Sequence, residues 1–189
     1  MTPARRHRPG FSLVELMVAL AVAGVLLGVA APDLGALLRT QQLKSASGDL
    51  FAAIGMARSQ ALARGQVVKL LPLDAAGADW TRGWRIFVDR DGDGQSGALD
   101  DIIAEHGPLP AGLAIAFAFT GPAPPYYIAY NGAGRSCKDT NSAAARYGTL
   151  SLFHGGAIRR IKINMLGRAR VCDPARDDAC DGAAAPPPS

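Results

Sequence analysis

A run of basic side chains near the end of the sequence is the clearest candidate for binding chemistry. Five basic residues and no acidic one lie between positions 159 and 170, and Arg160, Lys162, Arg168 and Arg170 are spaced in pairs two residues apart. In an extended segment, side chains two positions apart project to the same side. Guanidinium groups bind phosphate oxygens through paired hydrogen bonds, so the spacing predicts a phosphate-binding surface. The alternative is a solvated strand edge that is kept basic against aggregation.

Charge elsewhere in the chain limits how this basic run is interpreted. Removing the three arginines at positions 5, 6 and 8 from a formal net charge of +4 leaves +1, so affinity for nucleic acid must come from a local patch. An acidic segment follows the run directly and contains Asp173, Asp177, Asp178 and Asp181. If this segment folds back over the basic run, we expect it to weaken the patch.

A second cluster of chemically active side chains has the spacing of a calcium loop. Asp89, Asp91 and Asp93 alternate ahead of Gly94, and Asp100 takes the position where such loops usually carry glutamate. Strands rather than helices are predicted on both sides of this loop. The alternative is a turn in which aspartates bind nearby backbone N–H groups without a metal.

Three cysteines, Cys137, Cys172 and Cys180, all lie in the second half of the chain. If this half is outside the cytoplasm, disulfides persist there, and an odd count leaves one thiol unpaired. We predict a bridge between Cys172 and Cys180, the nearest pair. A bridge between Cys137 and Cys172 across the sheet is the alternative.

The sequence lacks the residue patterns of the common enzyme classes. His106 and His154 have no serine or cysteine nucleophile signature nearby, and His7 lies in the basic leader. There is no glycine-rich phosphate loop and no paired zinc motif. We therefore expect a structural or binding protein that uses no cofactor.

The N-terminal region combines a basic leader with a long apolar block. Residues 16–31 carry no charged side chain, and a helix counted from Phe11 has about the length that crosses a bilayer. Glu15 lies in the first turns of this block, and a lone acid at membrane depth is usually functional. The basic leader favours a cytoplasmic N-terminus. A secretory signal peptide and a plain single-span anchor are the alternatives, and neither explains the acid.

The remaining elements follow from hydrophobic periodicity. Apolar residues three and four positions apart continue from Leu43 to Ala61, which predicts one helix over residues 11–64 that ends at Gly65. After Gly65 the period changes to two, and Leu113, Ile115, Phe117 and Phe119 alternate with alanines as in a half-buried strand. Strands are predicted at 67–73, 84–89, 102–105, 113–119, 126–131, 149–153 and 158–166. A long helix followed by about seven strands predicts an α+β fold.

The Gly10-Phe11 junction with Glu15 five residues after the glycine closely resembles the class III signal of type IV pilins and pseudopilins. The resemblance implies that a prepilin peptidase cuts after Gly10 and that the new N-terminal residue, Phe11, is methylated. It also implies that Glu15 pairs with the terminal amine of a neighbouring pilin subunit during filament assembly. The implied architecture is the type IV pilin-like fold, with a long N-terminal helix packed on an antiparallel sheet.

Two further motifs resemble the GspH/FimT branch of this family. The segment Trp80-x-x-Gly83-Trp84, continuing to Asp89, resembles the hairpin of that branch, and residues 167–170 resemble the Gly-Arg-x-Arg motif of its DNA-binding FimT members. The resemblance implies a minor pilin that binds extracellular double-stranded DNA, without sequence preference, during natural transformation. The alternative is a structural, GspH-like minor pseudopilin of a type II secretion system.

Together these observations predict the organisation of the chain. We expect a leader at 1–10, a transmembrane assembly helix at 11–32, a periplasmic head at 33–182 and a disordered tail at 183–189. Within the head, residues 33–64 form the second half of the helix. The predicted location is the inner membrane, crossed once, with incorporation into a pilus on the cell surface.

Overall fold

The computed structural model describes residues 12–121 and 123–187, except for the side chains of residues 26–33. The chain divides into two compact units between Leu38 and Arg39. The predicted processing residues Gly10 and Phe11 lie outside the described residues.

A long α-helix, α1, runs over Leu13–Arg64 and contributes to both units, and a short 3-10 helix spans Trp80–Arg82. The long helix begins after Ser12, whose Oγ accepts a hydrogen bond of 3.2 Å from the backbone N–H of Glu15. This Ser-x-x-Glu arrangement satisfies a backbone donor that the first helical turn leaves free. The helix ends at Gly65, which has a φ of +65° and donates its N–H to Ala61 at 2.9 Å. The predicted end of the helix is thus confirmed.

In the described part of the chain, eight strands follow α1 and form two antiparallel sheets. The N-terminal sheet has the order β3-β2-β1-β5, and the C-terminal sheet has the order β4-β6-β7-β8. The strands are β1 Val68–Pro72, β2 Trp84–Val88, β3 Asp101–His106, β4 Leu113–Phe119, β5 Ile128–Tyr130, β6 Gly148–His154, β7 Ala157–Ile163 and β8 Ala169–Cys172.

The larger of two hydrophobic core clusters among the described residues lies among the second half of α1 and the two sheets. The predicted apolar stripe of the helix is buried there, and its residues Leu50 and Ala57 are fully inaccessible to solvent. Leu70 of β1 and Leu150 of β6 are fully inaccessible as well. The alternating residues of β4 also face this core. Apolar stripes of period 3.6 and period 2 are therefore buried against each other, and the predicted α+β architecture of a long helix packed on antiparallel strands is confirmed.

The last predicted strand differs from the observed one. The sequence predicted a strand over 158–166 with Met165 facing inward, whereas β7 ends at Ile163 and Met165 is half exposed. The reason is a turn from Asn164 to Gly167, whose N–H donates to the Asn164 carbonyl at 2.9 Å. The chain reverses there and adds β8, a strand that the sequence analysis did not predict.

Among the residues that the structure describes, no helix combines the length and hydropathy needed to span a membrane. The predicted transmembrane span, 11–32, includes Phe11 and side chains from residue 26 onward that lie outside the described set.

Candidate nucleic-acid interface

The β7–β8 hairpin brings the predicted basic residues onto one face of the C-terminal sheet. Lys162 pairs with Arg170 in the antiparallel register, and Ile161 and Ile163 between the cations are buried in the core. Because side chains alternate along a strand, Arg160, Lys162 and Arg170 lie on the opposite side, here called the outer face. Glycine is required in the hairpin turn, since a Cβ at Gly167 would lie 2.4 Å from the carbonyl oxygen of Gly134.

Hydroxyl groups from β6 lie beside these cations on the outer face. Ser151 pairs with Arg160 and Thr149 pairs with Lys162 in the β6–β7 register, and both hydroxyl residues are buried. The outer face therefore carries guanidinium, ammonium and hydroxyl donors in adjacent positions, which is the donor set that binds phosphate oxygens.

The acidic segment folds back over this face. We call residues 173–187 the strap. The Asp177 carboxylate lies 2.6 Å from a guanidinium nitrogen of Arg170, and Asp181 forms an ion pair with Lys162. The hydrogen bond from Arg170 holds the pKa of Asp177 below its ordinary value, so this pair is charged at neutral pH.

Arg160 is the most enclosed of the predicted DNA-binding residues. Its side chain was predicted to face solvent, but the residue is only 7% exposed because the strap lies over it. One guanidinium nitrogen donates to the Cys180 carbonyl and the other to the Ala183 carbonyl at 2.7 Å. The Arg160 guanidinium is therefore covered by the strap.

Arg168 differs from the other three predicted cations in its contacts. It is exposed at the start of β8, and within the described residues its side chain has no hydrogen bond or ion pair. Its backbone is held by Asn164, whose side-chain oxygen accepts the Arg168 N–H at 2.9 Å. The structure thus brings the four predicted cations to one hairpin but leaves only Arg168 without an internal partner in the part of the chain described.

A disulfide holds the start of the strap against β8. Cys172 and Cys180 are joined, with Cα atoms 5.8 Å apart. Cys137 is a free, buried thiol, and burial raises its pKa to about 11. Since the thiolate is the reactive form, Cys137 is inert at neutral pH.

The aspartate-rich loop uses its carboxylates on its own backbone. Asp89 accepts the N–H groups of Gly92 and Gly94 at 2.8 and 3.1 Å. Asp91 and Asp93 lie near Asp89, but Asp100 instead accepts backbone N–H groups of residues 90 and 97. These contacts match the turn interpretation of this loop. The four aspartates of the calcium hypothesis do not converge on one point.

Lys69, which the sequence analysis did not single out, lies beside this loop. Its side chain is 1% exposed, and its ammonium nitrogen donates to the Gly94 carbonyl at 2.7 Å. The same nitrogen lies 3.6 Å from Asp89 and 3.3 Å from Asp139. The sequence signal for this site was a lysine within an apolar strand. A lysine buried in such a strand nearly always has an acidic partner, so its position indicated a buried ion pair.

Glu15, the predicted assembly residue, is exposed in the first turn of α1. In this position a carboxylate also interacts favourably with the positive end of the helix dipole. The predicted role of Glu15 in assembly requires a second subunit.

Models of known protein families match two parts of this chain. A family model described as type II transport protein GspH matches residues 46–167, which include all strands but the last. A second model, described as a prokaryotic N-terminal methylation motif, matches residues 5–31. Among curated protein sequences, none matches the chain.

Two solved structures are similar in fold. The crystal structure of the type IV minor pilin FimU from Pseudomonas aeruginosa aligns with a TM-score of 0.56 and 20% identity, over 72% of this chain and 92% of that one. The minor pseudopilin EpsH of the type 2 secretion system of Vibrio cholerae aligns with a TM-score of 0.50 and 19% identity, over 70% of this chain and 98% of that one. At such identities the likeness concerns the fold alone.

Proposed function

This chain belongs to the GspH family, and from that membership we propose that it is a minor pilin or pseudopilin subunit of a type IV pilus or type II secretion filament. The observation that carries the proposal is the co-occurrence of an N-terminal methylation motif, the 52-residue helix and a GspH head in one chain. The subunit is a structural protein rather than an enzyme. Its partners are other pilin subunits, the prepilin peptidase and the inner membrane, which it crosses once with a periplasmic head.

Filament membership is tested by isolating pili or pseudopili from cells that express the tagged full-length chain. We expect the chain to be a minor component of the filament fraction, at the cell surface if the filament is a pilus. Deleting the major pilin and, separately, the major pseudopilin identifies the filament that it enters. Absence from the filament fraction in an otherwise piliated cell would contradict the proposal.

Processing gives a direct chemical prediction. We expect cleavage after Gly10 and a methylated Phe11 N-terminus, because the Gly-Phe junction followed by Glu15 matches the peptidase pattern. Mass spectrometry of the protein isolated from membranes measures both modifications. A Gly10→Leu variant is expected to retain the leader and to lack a methylated Phe11 N-terminus. An intact leader in the wild-type protein, or cleavage after the apolar block, would refute this prediction.

A second candidate function is capture of duplex DNA through the Gly-Arg-x-Arg motif of residues 167–170. The observation that favours it is the exposure of Arg168 and Arg170 at one end of the hairpin. Capture through phosphates requires no base readout, so binding is expected to be independent of sequence. The paired aspartates of the strap reduce the positive charge available to DNA. A purely structural role in type II secretion is the alternative.

The salt dependence of DNA binding tests this second candidate. Each phosphate contact contributes a slope of about −0.9 to log K against log salt, so contacts from Arg168 and Arg170 predict a slope of about −1 to −2. Replacing both by glutamine should remove most of this binding for every sequence alike. The assay uses the full chain in nonionic detergent and a duplex DNA.

In a matched control variant, Arg82 and Arg135 are both replaced by glutamine. Both arginines are exposed and lie outside the hairpin, and their loss changes the net charge equally. We expect this control to bind DNA like the wild type. Equal loss of binding in both double variants would indicate a general charge effect rather than a site.

A further inference from the structure

The strap meets the outer face of the C-terminal sheet through oxygen atoms. Arg170 contacts the Asp177 carboxylate and, at 2.8 Å, the Ala179 carbonyl. Lys162 contacts the same Ala179 carbonyl at 2.9 Å as well as the Asp181 carboxylate. Each of these two cations thus contacts one carboxylate and one backbone carbonyl oxygen. Phosphodiester oxygens present the same kinds of acceptor to arginine and lysine.

Arg160 also lies on the outer face under the strap, but it has no carboxylate partner among the described residues. Among the described residues no carboxylate lies within ion-pair distance of its guanidinium, which is held by two strap carbonyls. Its Nε is buried without a hydrogen bond in that part of the chain, as is the neighbouring Ser151 hydroxyl. Gly182 covers both groups, because a Cβ built there would lie 2.9 Å from each. A buried charge held only by dipoles is incompletely compensated.

We propose that the outer face is a binding surface for a phosphodiester polyanion and that the strap is its internal occupant, which a polyanion must displace. The proposal rests on the second candidate function, DNA capture, and adds its regulation. Displacement of residues 181–187 would uncover Arg160, Ser151 and Lys162, which extend the surface from the exposed Arg168 and Arg170. Anions that reach only the hairpin end would bind weakly, whereas a polyanion that lies along β7 would gain the covered donors.

The covalent structure allows this exchange without unfolding the sheet. The disulfide between Cys172 and Cys180 keeps the first part of the strap on β8. Asp173 forms an ion pair with Arg159. Because side chains alternate along a strand and Arg160 lies on the outer face, Arg159 lies on the opposite side of β7. Residues after Cys180 have no such anchor, and Asp181 has a side chain 82% exposed. Exposed ion pairs contribute little net stability, so phosphates can compete for Lys162.

The charge variant that tests the proposal is Asp177→Asn with Asp181→Asn. It keeps the shape of the strap but removes both carboxylates from the outer face. For a duplex DNA of 20 base pairs and the full chain in detergent, we expect affinity at low salt to increase by about tenfold, because Lys162 becomes available and Arg170 loses its competing carboxylate. The slope of log K against log salt should steepen by about 1, from the added phosphate contact of Lys162.

The matched control is Asp178→Asn with Asp91→Asn, which changes the net charge equally. Asp178 lies in the strap and Asp91 in the β2–β3 loop, and both are exposed. Neither has a cationic partner within the described residues. An increase in affinity confined to the first variant supports the proposal, whereas equal increases in the two variants overturn it.

Hydrogen–deuterium exchange of the wild-type chain gives a second, independent measurement. On addition of the duplex we expect faster exchange in residues 181–185, which lie beyond the disulfide, and slower exchange in β8. Unchanged exchange in the strap with saturating DNA would overturn displacement.

The outcomes separate this inference from the function on which it rests. If the wild type binds DNA but the Asp177/Asp181 variant matches the control variant, DNA capture stands and the occupied-surface proposal fails. If only the Asp177/Asp181 variant binds, the strap proposal stands and DNA capture by the resting wild-type subunit fails. If neither protein binds DNA at low salt, both are overturned.

Discussion

Replacing Lys69 by methionine should lower the free energy of unfolding by about 3–5 kcal/mol, the range observed when one partner of a buried ion pair is removed. Methionine fills a similar volume but leaves Asp89 and Asp139 without the ammonium between them. Asp89 is 9% exposed and Asp139 is 20% exposed, so water replaces the lost charge poorly. The ammonium also lies 5.2 Å from the centre of the Tyr127 ring, an attraction that methionine loses.

Chemical denaturation followed by tryptophan fluorescence measures this effect. Trp80 and Trp84 are both buried in the head, so their emission reports its unfolding. Lys44→Met is the matched control, because Lys44 is exposed on α1 and its loss should change stability by less than about 0.5 kcal/mol. A Lys69→Met protein as stable as this control would show that the buried charge network contributes nothing.

The pH dependence of the Lys69→Met effect follows from Asp139. Burial alone would raise the pKa of Asp139, but the Tyr127 hydroxyl and the Lys69 ammonium together hold the pKa below its usual value. A carboxyl group whose pKa is lowered on folding stabilises the fold above its unfolded pKa, and this stabilisation is lost as the pH falls through the folded value. The difference between wild type and Lys69→Met should therefore be largest near neutral pH and shrink below about pH 4.

Replacing Glu15 by glutamine should reduce incorporation into filaments by an order of magnitude or more while leaving the head folded. An unpaired acid in lipid costs several kcal/mol, and each ~1.4 kcal/mol changes an equilibrium about tenfold. In the assembled filament we expect the terminal amine of a neighbouring subunit to supply the opposite charge. Glutamine keeps the shape of Glu15 and its helix position but cannot form an ion pair.

The measurement is the ratio of filament-bound to membrane-bound protein in cells expressing each variant. Glu105→Gln is the matched control, because Glu105 is the other glutamate of the chain and forms a surface ion pair of 2.8 Å with Arg85. We expect that control to assemble like the wild type. Normal incorporation of Glu15→Gln would show that the charge of Glu15 is not needed, and loss of its membrane-bound form would instead indicate misfolding.

Features that depend on short-range periodicity could be predicted from the sequence. The stripe from Leu43 to Ala61 predicted the buried side of α1, and Gly65 marked its end. The alternation along residues 113–119 predicted a half-buried strand with the observed bounds. These predictions hold because residues three, four or two positions apart share a face whatever the rest of the chain does.

Only the tertiary structure determined which charged side chains form ion pairs. The sequence placed four cations near the C-terminal end and an acidic segment after them, but not the contacts of Asp177 with Arg170 and of Asp181 with Lys162. Lys69 and Asp139 are far apart in sequence and become partners only because β1 lies between β2 and β5. Charge pairing depends on distances of a few ångströms between distant segments, and no local period encodes those distances. The N-terminal motif and the basic hairpin thus identified the family and the candidate surface, while the folded strap determined how much of that surface is accessible.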